Sequence, residues 1–402
     1  MAIDYQGLAQ QIHRLGQDVI AFQRLLSTKK EQAGNLLKQY NEQGALLHAK
    51  VKAAARINPS LRCALPGRET LRSHLNSSRD HNDALVLAAD GSQITPDRHA
   101  QINYYLVNVG ALQIRLGSGE APHTYTHSRI VFGADLYTQQ GFVSGDAIFL
   151  QRDLQERQVL ADLVLEILTS KIQGETPAPI VTLTDGTLEL WGTKERSAEA
   201  GAVFRTTLAA YKTCLARLHS LGAITAAYVD KPRADLVVRL LEIAVLDENH
   251  LEQAGKPGAL QGITDEMLFE EILAAGERSA VFGLQSQSVQ DYTDELALHF
   301  FYLNASSDRY PWIARVEIPA WVAESDEMLG TLHSVLIQQC RTLGNIPYPY
   351  LLHRAHETAV VTQQDKEQVT QMIIQEYLRR GVPAGQVSHK QHLKNQPGRT
   401  RL

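Results

Sequence analysis

The sequence lacks the features that mark membrane proteins, secreted proteins and zinc ribbons. No apolar run approaches the ~20 residues that a membrane-spanning helix needs, and the N-terminus has no basic segment followed by an apolar one, as a secretory signal would. The three cysteines, Cys63, Cys214 and Cys340, lie far apart and form no CxxC pair. This spacing argues against a zinc ribbon or a disulfide framework and favours a reducing compartment. We therefore expect a cytoplasmic protein without a membrane segment.

The chain also lacks an excess of positive charge. Its 402 residues carry a net charge of −5 at pH 7, with 44% apolar and 21% charged residues, a composition typical of globular proteins. A protein that coats DNA would be basic. An enzyme that handles DNA in a local groove remains compatible, because carboxylates that hold metal ions add negative charge. Residues 391–402, preceded by Lys390, contain no acidic residue and are predicted to form a basic tail. The alternative is an ordinary frayed terminus without a function.

The N-terminal residues are predicted to form a helical arm. Apolar residues recur at near-helical spacing over residues 5–55, and no proline precedes Pro59. Gly34 and Gly44 are expected to divide this stretch into two or three helices. The arm, residues 1–57, carries an apolar stripe with no evident partner in the predicted core, which predicts a contact surface. The stripe consists of Leu8, Ile12 and Leu15.

The pattern that follows predicts a mixed α/β core. An apolar run over residues 84–89 is typical of a buried strand, and we expect it to end at Asp90-Gly91-Ser92. Gly110 is expected to separate two adjacent antiparallel strands, 102–109 and 111–116. The next predicted elements are a helix over 150–171, a strand over 180–184, a helix over 198–221 and a strand over 223–229. This order is that of an RNase H-like sheet flanked by helices.

Further elements are predicted toward the C-terminus. Helices are expected to dominate residues 234–283, and 296–304 and 313–322 are expected to form a strand pair. Residues 347–358 are predicted to form a helix entry with Pro349 in the first turn. Thr362 with Asp365 resembles a capping box that opens a last helix, which runs to Arg380 and stops at Gly381.

Two Asp-Gly pairs are candidate metal-binding carboxylates. Asp90-Gly91-Ser92 and Asp185-Gly186-Thr187 each follow a predicted strand, and glycine permits a sharp turn there. Ligands collect at strand ends in α/β folds, and Mg²⁺ and Mn²⁺ prefer oxygen ligands. For either pair alone an ordinary turn with Asp in first position is the better reading. Together, on the first and fourth strands, they favour a shared cation site.

A glutamate on the predicted helix over 150–171 is the third candidate. At ~100° per residue, Glu156 lies on the same stripe as Leu160, Leu163, Val164 and Ile167, whereas Glu166 lies at its edge. A buried glutamate without a cationic partner is costly, so Glu156 is predicted to meet one. The alternative is a glutamate that reaches solvent or stabilises the helix N-terminus.

Tyr348 and His356 are candidates near the C-terminus. His356 is predicted to bind metal or phosphate, although a lone histidine is more often structural. Tyr348 precedes it by eight residues, ~12 Å along a continuous helix, and is expected to contact a DNA strand. His353, three residues before His356, has no assigned role.

Several stretches together resemble the bacterial branch of the NurA nuclease family over residues 85–394. They include Ala88-Ala89-Asp90-Gly91-Ser92-Gln93-Ile94, Thr184-Asp185-Gly186-Thr187-Leu188, Ala227-Tyr228-Val229-Asp230-Lys231-Pro232-Arg233, Gly276-Glu277-Arg278-Ser279, Phe300-Phe301-Tyr302-Leu303, Ala314-Arg315-Val316-Glu317-Ile318-Pro319, Tyr348-Pro349-Tyr350-Leu351 and Arg354-Ala355-His356. Each match alone is weak, but their order along the chain is specific. Residues 80–390 are accordingly predicted to be the nuclease domain.

The resemblance implies an RNase H-like fold and a DNA exonuclease and endonuclease that depends on Mn²⁺ or Mg²⁺. It also implies a homodimer that works with a HerA-type hexameric ATPase in DNA end processing. Carried over by motif, Asp90 and Asp185 are the strand carboxylates, and Tyr348 and His356 are the C-terminal pair. Arg152-Asp153-Leu154-Gln155-Glu156 resembles the helix motif, but a long stretch before Asp185 leaves Glu166 as an alternative to Glu156.

Two other functions stay open from the sequence. A non-catalytic DNA-binding subunit would keep the same fold, although the full set of acidic residues argues against it. An actin-like ATPase or phosphotransferase also places Asp and Gly-(Ser/Thr) loops at strand ends, but it needs a Gly-rich adenosine pocket that the sequence does not offer.

Overall fold

The computed structural model describes residues 3–77, 83–97, 102–138, 141–170, 178–192, 198–307, 310–344 and 346–382. The chain forms two compact units. The first unit consists of Met1–Asp80 and Ala227–Tyr348, and the second unit consists of His81–Ala226 and Pro349–Leu402. The predicted basic tail lies outside the described residues. No helix among the described residues is long and apolar enough to cross a bilayer.

The α-helices are α1 (Tyr5–Gln39), α2 (Gly44–Ile57), α3 (Gly145–Ser170), α4 (Ala198–Ser220), α5 (Leu236–Val245), α6 (Asp265–Phe269), α7 (Ala320–Ala323), α8 (Asp326–Thr342), α9 (Tyr350–Ala359) and α10 (Gln363–Arg379). The strands are β1 (Cys63–Pro66), β2 (His74–Leu75), β3 (Leu85–Ile94), β4 (Tyr104–Arg115), β5 (His123–Phe132), β6 (Tyr137–Thr138), β7 (Gly141–Phe142), β8 (Ile180–Asp185), β9 (Ile224–Val229), β10 (Arg278–Ser279), β11 (Phe282–Gln285), β12 (Leu298–Asn304) and β13 (Ile313–Pro319). Short 3₁₀ helices cover Gly133–Leu136, Glu248–Gln253, Ser288–Asp291 and Asp294–Leu296.

The second unit has the predicted RNase H-like strand order. Its strands lie in the order β5-β4-β3-β8, followed by β9, of which residues 224–226 belong to this unit. β3 is antiparallel to β4, β4 is antiparallel to β5, and β3 is parallel to β8. The helix α3 lies between β5 and β8 in the chain, and α4 lies between β8 and β9. The mixed α/β fold expected from the element order is therefore confirmed.

Two helices cover opposite faces of β3 and β4 near their middle. Alternate apolar residues of β3, such as Leu87 and Ala89, pack with Leu160 and Val164 of α3. The helix α9 also contacts β3 and β4, and the apolar residues Tyr104 and Leu106 of β4 pack with Ile373 of α10. Because successive strand residues face opposite sides of a sheet, this unit has apolar layers on both faces of its central strands.

The predicted strand ends at Gly91 and Gly110 were wrong. β3 does not end at Asp90 but continues to Ile94, and Gly91 does not adopt a positive φ. Likewise β4 runs unbroken through Gly110. The third strand of the sheet is β5, which sequence analysis missed because its residues are mostly exposed and show no apolar run.

The first unit is built on an antiparallel sheet with the order β1-β11-β12-β13. The predicted strand pair corresponds to β12 and β13, although α7 takes over after Pro319. Strands β10 and β11 interrupt the stretch expected to be helical. The helix α1 passes through Gly34 without a break, so only the Gly44 boundary was predicted correctly.

The last two helices follow the sequence signals closely. Pro349, expected in the first turn of α9, is instead its N-cap residue, and α10 begins with the predicted capping box between Thr362 and Asp365. Gly381 follows α10 with a φ of 70°, the left-handed conformation in which glycine commonly ends a helix.

Candidate active site

Asp90 lies within β3 and contacts a residue that follows it by 266 positions in the chain. Its Oδ2 atom is 2.7 Å from Nδ1 of His356 on α9, and its Oδ1 atom accepts a hydrogen bond of 2.8 Å from the Gly91 N–H. The Asp90 side chain is 16% exposed and the His356 side chain is 66% exposed. The pair is therefore anchored on its carboxylate side and open to a ligand on its imidazole side.

Glu156 is buried, as the helical periodicity predicted, and is 6% exposed. Burial raises the pKa of its carboxyl well above the usual value, and the negative charges of Asp153 and Asp90 raise it further, while Arg152 and Arg157 oppose the shift. The closest of these cations is Arg152, whose Nε atom is 3.4 Å from Glu156 Oε1. Glu166, the alternative on the same helix, is exposed.

Gly91 lets α3 approach β3 closely. A Cβ atom at this position would lie 2.5 Å from Cγ of Arg152 and 2.7 Å from Oε1 of Glu156. Both distances are shorter than any real contact of such an atom. Gly91 was expected to form a turn, but in the structure its missing side chain makes room for the Glu156 carboxylate.

Arg152 and Asp153 also belong to this cluster, and sequence analysis gave them no role. The Nη2 atom of Arg152 lies 2.8 Å from Oδ1 of Asp153. The pKa of Asp153 is raised, first by burial, and the Asp90 charge adds to this against the opposing effect of Arg152. Asp153 and Glu156 thus contact one arginine, and the Asp90 charge raises the pKa of both carboxyl groups. Helical periodicity did not indicate this contact because Arg152 and Asp153 are only partly buried.

Asp185 is the last residue of β8 and is exposed. The parallel register pairs Ala89 with Thr184, so the next positions along the two strands are Asp90 and Asp185. Neighbouring strands lie ~4.8 Å apart. Gly186 follows with a φ of 86°, so the predicted turn after this aspartate is present.

Tyr348 is the last residue of the first unit, whereas Asp90, Glu156, Asp185 and His356 belong to the second. Its ring packs edge-on against Tyr228, with 5.5 Å between the ring centroids, and its N–H donates to the Ile346 carbonyl at 2.8 Å.

The two histidines of α9 differ in their surroundings. His353 lies 3.5 Å from Glu357 in an exposed pair one turn along the same helix. His356 contacts Asp90 on β3 instead. Of the two, only His356 therefore contacts Asp90, and the functional role predicted for it stays a prediction.

The residues at this site suit a hard divalent cation by their chemistry, although no ready-made ligand set is present. Among the described residues, no three His, Cys, Asp or Glu side chains group closely enough to hold a metal. The donors that do meet are carboxylate oxygens, which suit Mn²⁺ and Mg²⁺, and one imidazole nitrogen, which suits transition metals better than Mg²⁺. The raised pKa of Glu156, due first to burial and then to Asp153 and Asp90, indicates unfavourable negative charge that a bound cation would offset.

The fold and the carboxylate cluster define a mixed α/β protein of RNase H-like strand order. The model of the NurA domain matches residues 84–361, which is more than half of the chain. The chain therefore belongs to the NurA family.

Three solved structures are similar to this chain at low sequence identity. The NurA nuclease from Sulfolobus solfataricus is 12% identical over 94% of this chain and 98% of its own, with a TM-score of 0.49. The catalytic domain of human Endonuclease V is 13% identical over 84% of this chain and 99% of its own, with a TM-score of 0.33. An Argonaute from A. aeolicus is 12% identical over 69% of this chain and 28% of its own, with a TM-score of 0.32. No curated protein matches the sequence.

Proposed function

We propose that this NurA-family chain is a divalent-metal-dependent deoxyribonuclease that hydrolyses phosphodiester bonds. The observation that carries the proposal is the 2.7 Å contact between Asp90 and His356, beside a buried glutamate whose carboxylate approaches the next residue of β3. Clustered carboxylates that share negative charge are a costly arrangement. A bound cation would offset this negative charge, and we therefore propose that the carboxylates bind one.

Each residue has a distinct proposed role. Asp90, Glu156 and Asp185 would hold Mn²⁺ or Mg²⁺ through carboxylate oxygens, with His356 as a neutral ligand or a phosphate contact. When bound, such an ion supplies positive charge for the phosphate and lowers the pKa of water. Arg152 already offsets part of the carboxylate charge through Asp153 and Glu156.

The exposed ring of His356 suits a contact with substrate. With 66% of its side chain exposed, it presents a polar ring to a DNA strand while Nδ1 faces Asp90. When Nδ1 carries the proton it donates to Asp90, and the Nε2 atom then has its lone pair directed away from Asp90. Tyr348 is proposed to bind the DNA strand.

The wider assembly is proposed from the family alone. The substrate is DNA, and the partners are a second copy of the chain and a HerA-type hexameric translocase. The pathway is DNA end processing, with defence against phage as the other pathway open to the same pair. Co-purification of the full chain with such a translocase tests the partnership.

The activity is tested with purified full-length protein and labelled linear DNA. Cleavage is expected with Mn²⁺ or Mg²⁺ and is expected to stop in excess EDTA. Asp90→Ala, Asp185→Ala and Glu156→Ala should each lower kcat by on the order of 10²-fold or more, because charge stabilisation in the transition state is lost. Cleavage that persists undiminished in EDTA would overturn the metal requirement.

Two matched controls come from the same helices. Glu166→Ala on α3 changes an exposed glutamate and should leave cleavage intact, and His353→Ala on α9 should do the same while His356→Ala should not. If Glu166→Ala is inactive and Glu156→Ala is active, the assignment of the helix carboxylate is wrong. If no variant loses activity, the site lies elsewhere.

A further inference from the structure

The C-terminal end of α9 is tied to the two central strands of the second unit. The carbonyl oxygen of Ala359, the last residue of α9, accepts a hydrogen bond from the Ser92 hydroxyl on β3. It also accepts one of 2.8 Å from the Asn108 side-chain amide on β4. The last carbonyls of a helix have no partner within the helix, so these two donors fix its end to the sheet.

The Asn108 amide is itself held in place. Its Oδ1 atom accepts a 2.6 Å hydrogen bond from the Ser128 hydroxyl on β5. Since the amide oxygen faces Ser128, the amide nitrogen faces the Ala359 carbonyl. The orientation of the Asn108 side chain is therefore set by two neighbouring elements, β5 and α9.

Gly110 brings the α9 backbone into direct contact with β4. A Cβ atom on Gly110 would lie 2.6 Å from the Ala359 nitrogen and 2.8 Å from the Ala355 carbonyl oxygen. Gly110 is also the residue paired with Asp90 in the antiparallel register. This close approach of α9 to β4 therefore lies directly beside the candidate catalytic aspartate.

His356 lies between these contacts in the chain, one helical turn before Ala359. Its ring is mostly exposed, so packing around the ring contributes little to its position. The distance between His356 and Asp90 is instead governed by where the α9 backbone lies on β3 and β4. Ser92 is two residues after Asp90 on the same strand and therefore on the same face.

From these contacts we infer that Ser92, Asn108 and Gly110 form an α9 anchor, a set of positioning residues that hold His356 on Asp90. None of the three needs to touch DNA or metal. They act through the α9 backbone, by two hydrogen bonds to its last carbonyl and by a steric fit at Gly110. The inference rests on the proposed function for its effect on catalysis, but the position of His356 is testable without it.

The test uses the full chain with Ser92→Ala, Asn108→Ala and both changes together. Loss of both donors lets α9 shift, and a misplacement of about 1 Å costs on the order of 10²-fold in rate. We therefore expect the double variant to lose 10-fold to 10²-fold in kcat, with little change in KM for DNA. Ser92→Thr keeps the hydroxyl and should retain most of the activity.

Tyr104→Phe is the matched control. The Tyr104 hydroxyl on β4 donates to the Lys366 carbonyl of α10 at 3.1 Å, so this variant removes a comparable tie to the neighbouring helix. A similar loss of stability is expected, but kcat should stay near the wild-type value. An equal loss of kcat in Tyr104→Phe would overturn the inference, since any loosened helix would then act alike.

Two further readouts separate the inference from the proposed function. In the His356→Ala background, adding the Ser92 and Asn108 changes should lower kcat no further, whereas a general structural role would add its own loss. Histidine NMR of the metal-free protein should show the Nδ1 proton of His356 bonded to Asp90 in wild type and lose that signal in the double variant. If the His356 signal is unchanged in the double variant, the α9 anchor does not position His356 and the inference is wrong. If the signal is lost but His356→Ala is still active, only the proposed catalytic role of His356 is wrong.

Discussion

Replacing Gly110 with alanine is the sharpest test of how the site is held together. The new Cβ atom would lie 2.6 Å from the Ala359 nitrogen, against the 3.4 Å at which ordinary contact begins. The three nearest atoms all belong to the α9 backbone, at Ala355, Thr358 and Ala359. No side-chain rotation relieves such a contact, so α9 must retreat by about 0.8 Å, the difference between these two distances.

The size of the effect follows from that displacement. Overpacking of this kind costs about 1–3 kcal/mol of stability, partly offset by the about 0.5–1 kcal/mol that alanine gains over glycine within a strand. If His356 moves with α9, its 2.7 Å contact with Asp90 lengthens to nearly 3.5 Å, where a hydrogen bond is weak. We expect kcat to fall by on the order of 10–10²-fold, which is more than the loss of stability explains.

The assay compares Gly110→Ala with Gly330→Ala. Gly330 lies within α8, and a Cβ atom there meets nothing within 4 Å, so alanine should stabilise that helix by up to about 1 kcal/mol and leave cleavage unchanged. Urea unfolding gives the stability of each variant, and single-turnover cleavage gives the rate. A Gly110→Ala protein with wild-type stability and wild-type rate would refute the close packing of α9 on β4.

Two other predictions concern charge and assembly. Because burial, Asp153 and Asp90 raise the pKa of Glu156, the ionised form destabilises the fold, so the wild type should lose stability relative to Glu156→Gln as pH rises above the ordinary glutamate value of 4.5. In thermal melts near pH 7, Glu156→Gln should then be the more stable protein without metal, and Mn²⁺ should raise the Tm of the wild type more than that of the variant; equal shifts would argue against Glu156 as a ligand. Leu8 and Ile12 of α1 are 42% and 64% exposed, whereas the side chain of Leu15, the third predicted member of the stripe, lies outside the described residues. Deleting residues 1–43 should lower the molar mass in light scattering or abolish co-purification with the translocase, and a truncated protein that keeps both properties would exclude the arm from assembly.

Local signals in the sequence determined much of the fold. Helical periodicity placed Glu156 on the apolar stripe of α3, a position that faces the core in an amphipathic helix, and this residue is buried. The Thr362 capping box and the Gly381 helix end were likewise readable, since each depends on residues within one helical turn. The element order was sufficient to predict the mixed α/β fold, although the predicted second and third strands are both part of β4 and the true third strand, β5, was not foreseen.

Tertiary structure alone decided what the glycines do and which side chains meet. From the sequence, Gly91 and Gly110 indicated a turn and a strand break, because a missing side chain is read locally as conformational freedom. In the fold both lie in extended strands, and their missing Cβ atoms make room for α3 and α9. Asp90 and His356 meet across 266 positions of the chain, and a contact of that kind depends on how a helix packs on a sheet, which no local periodicity encodes.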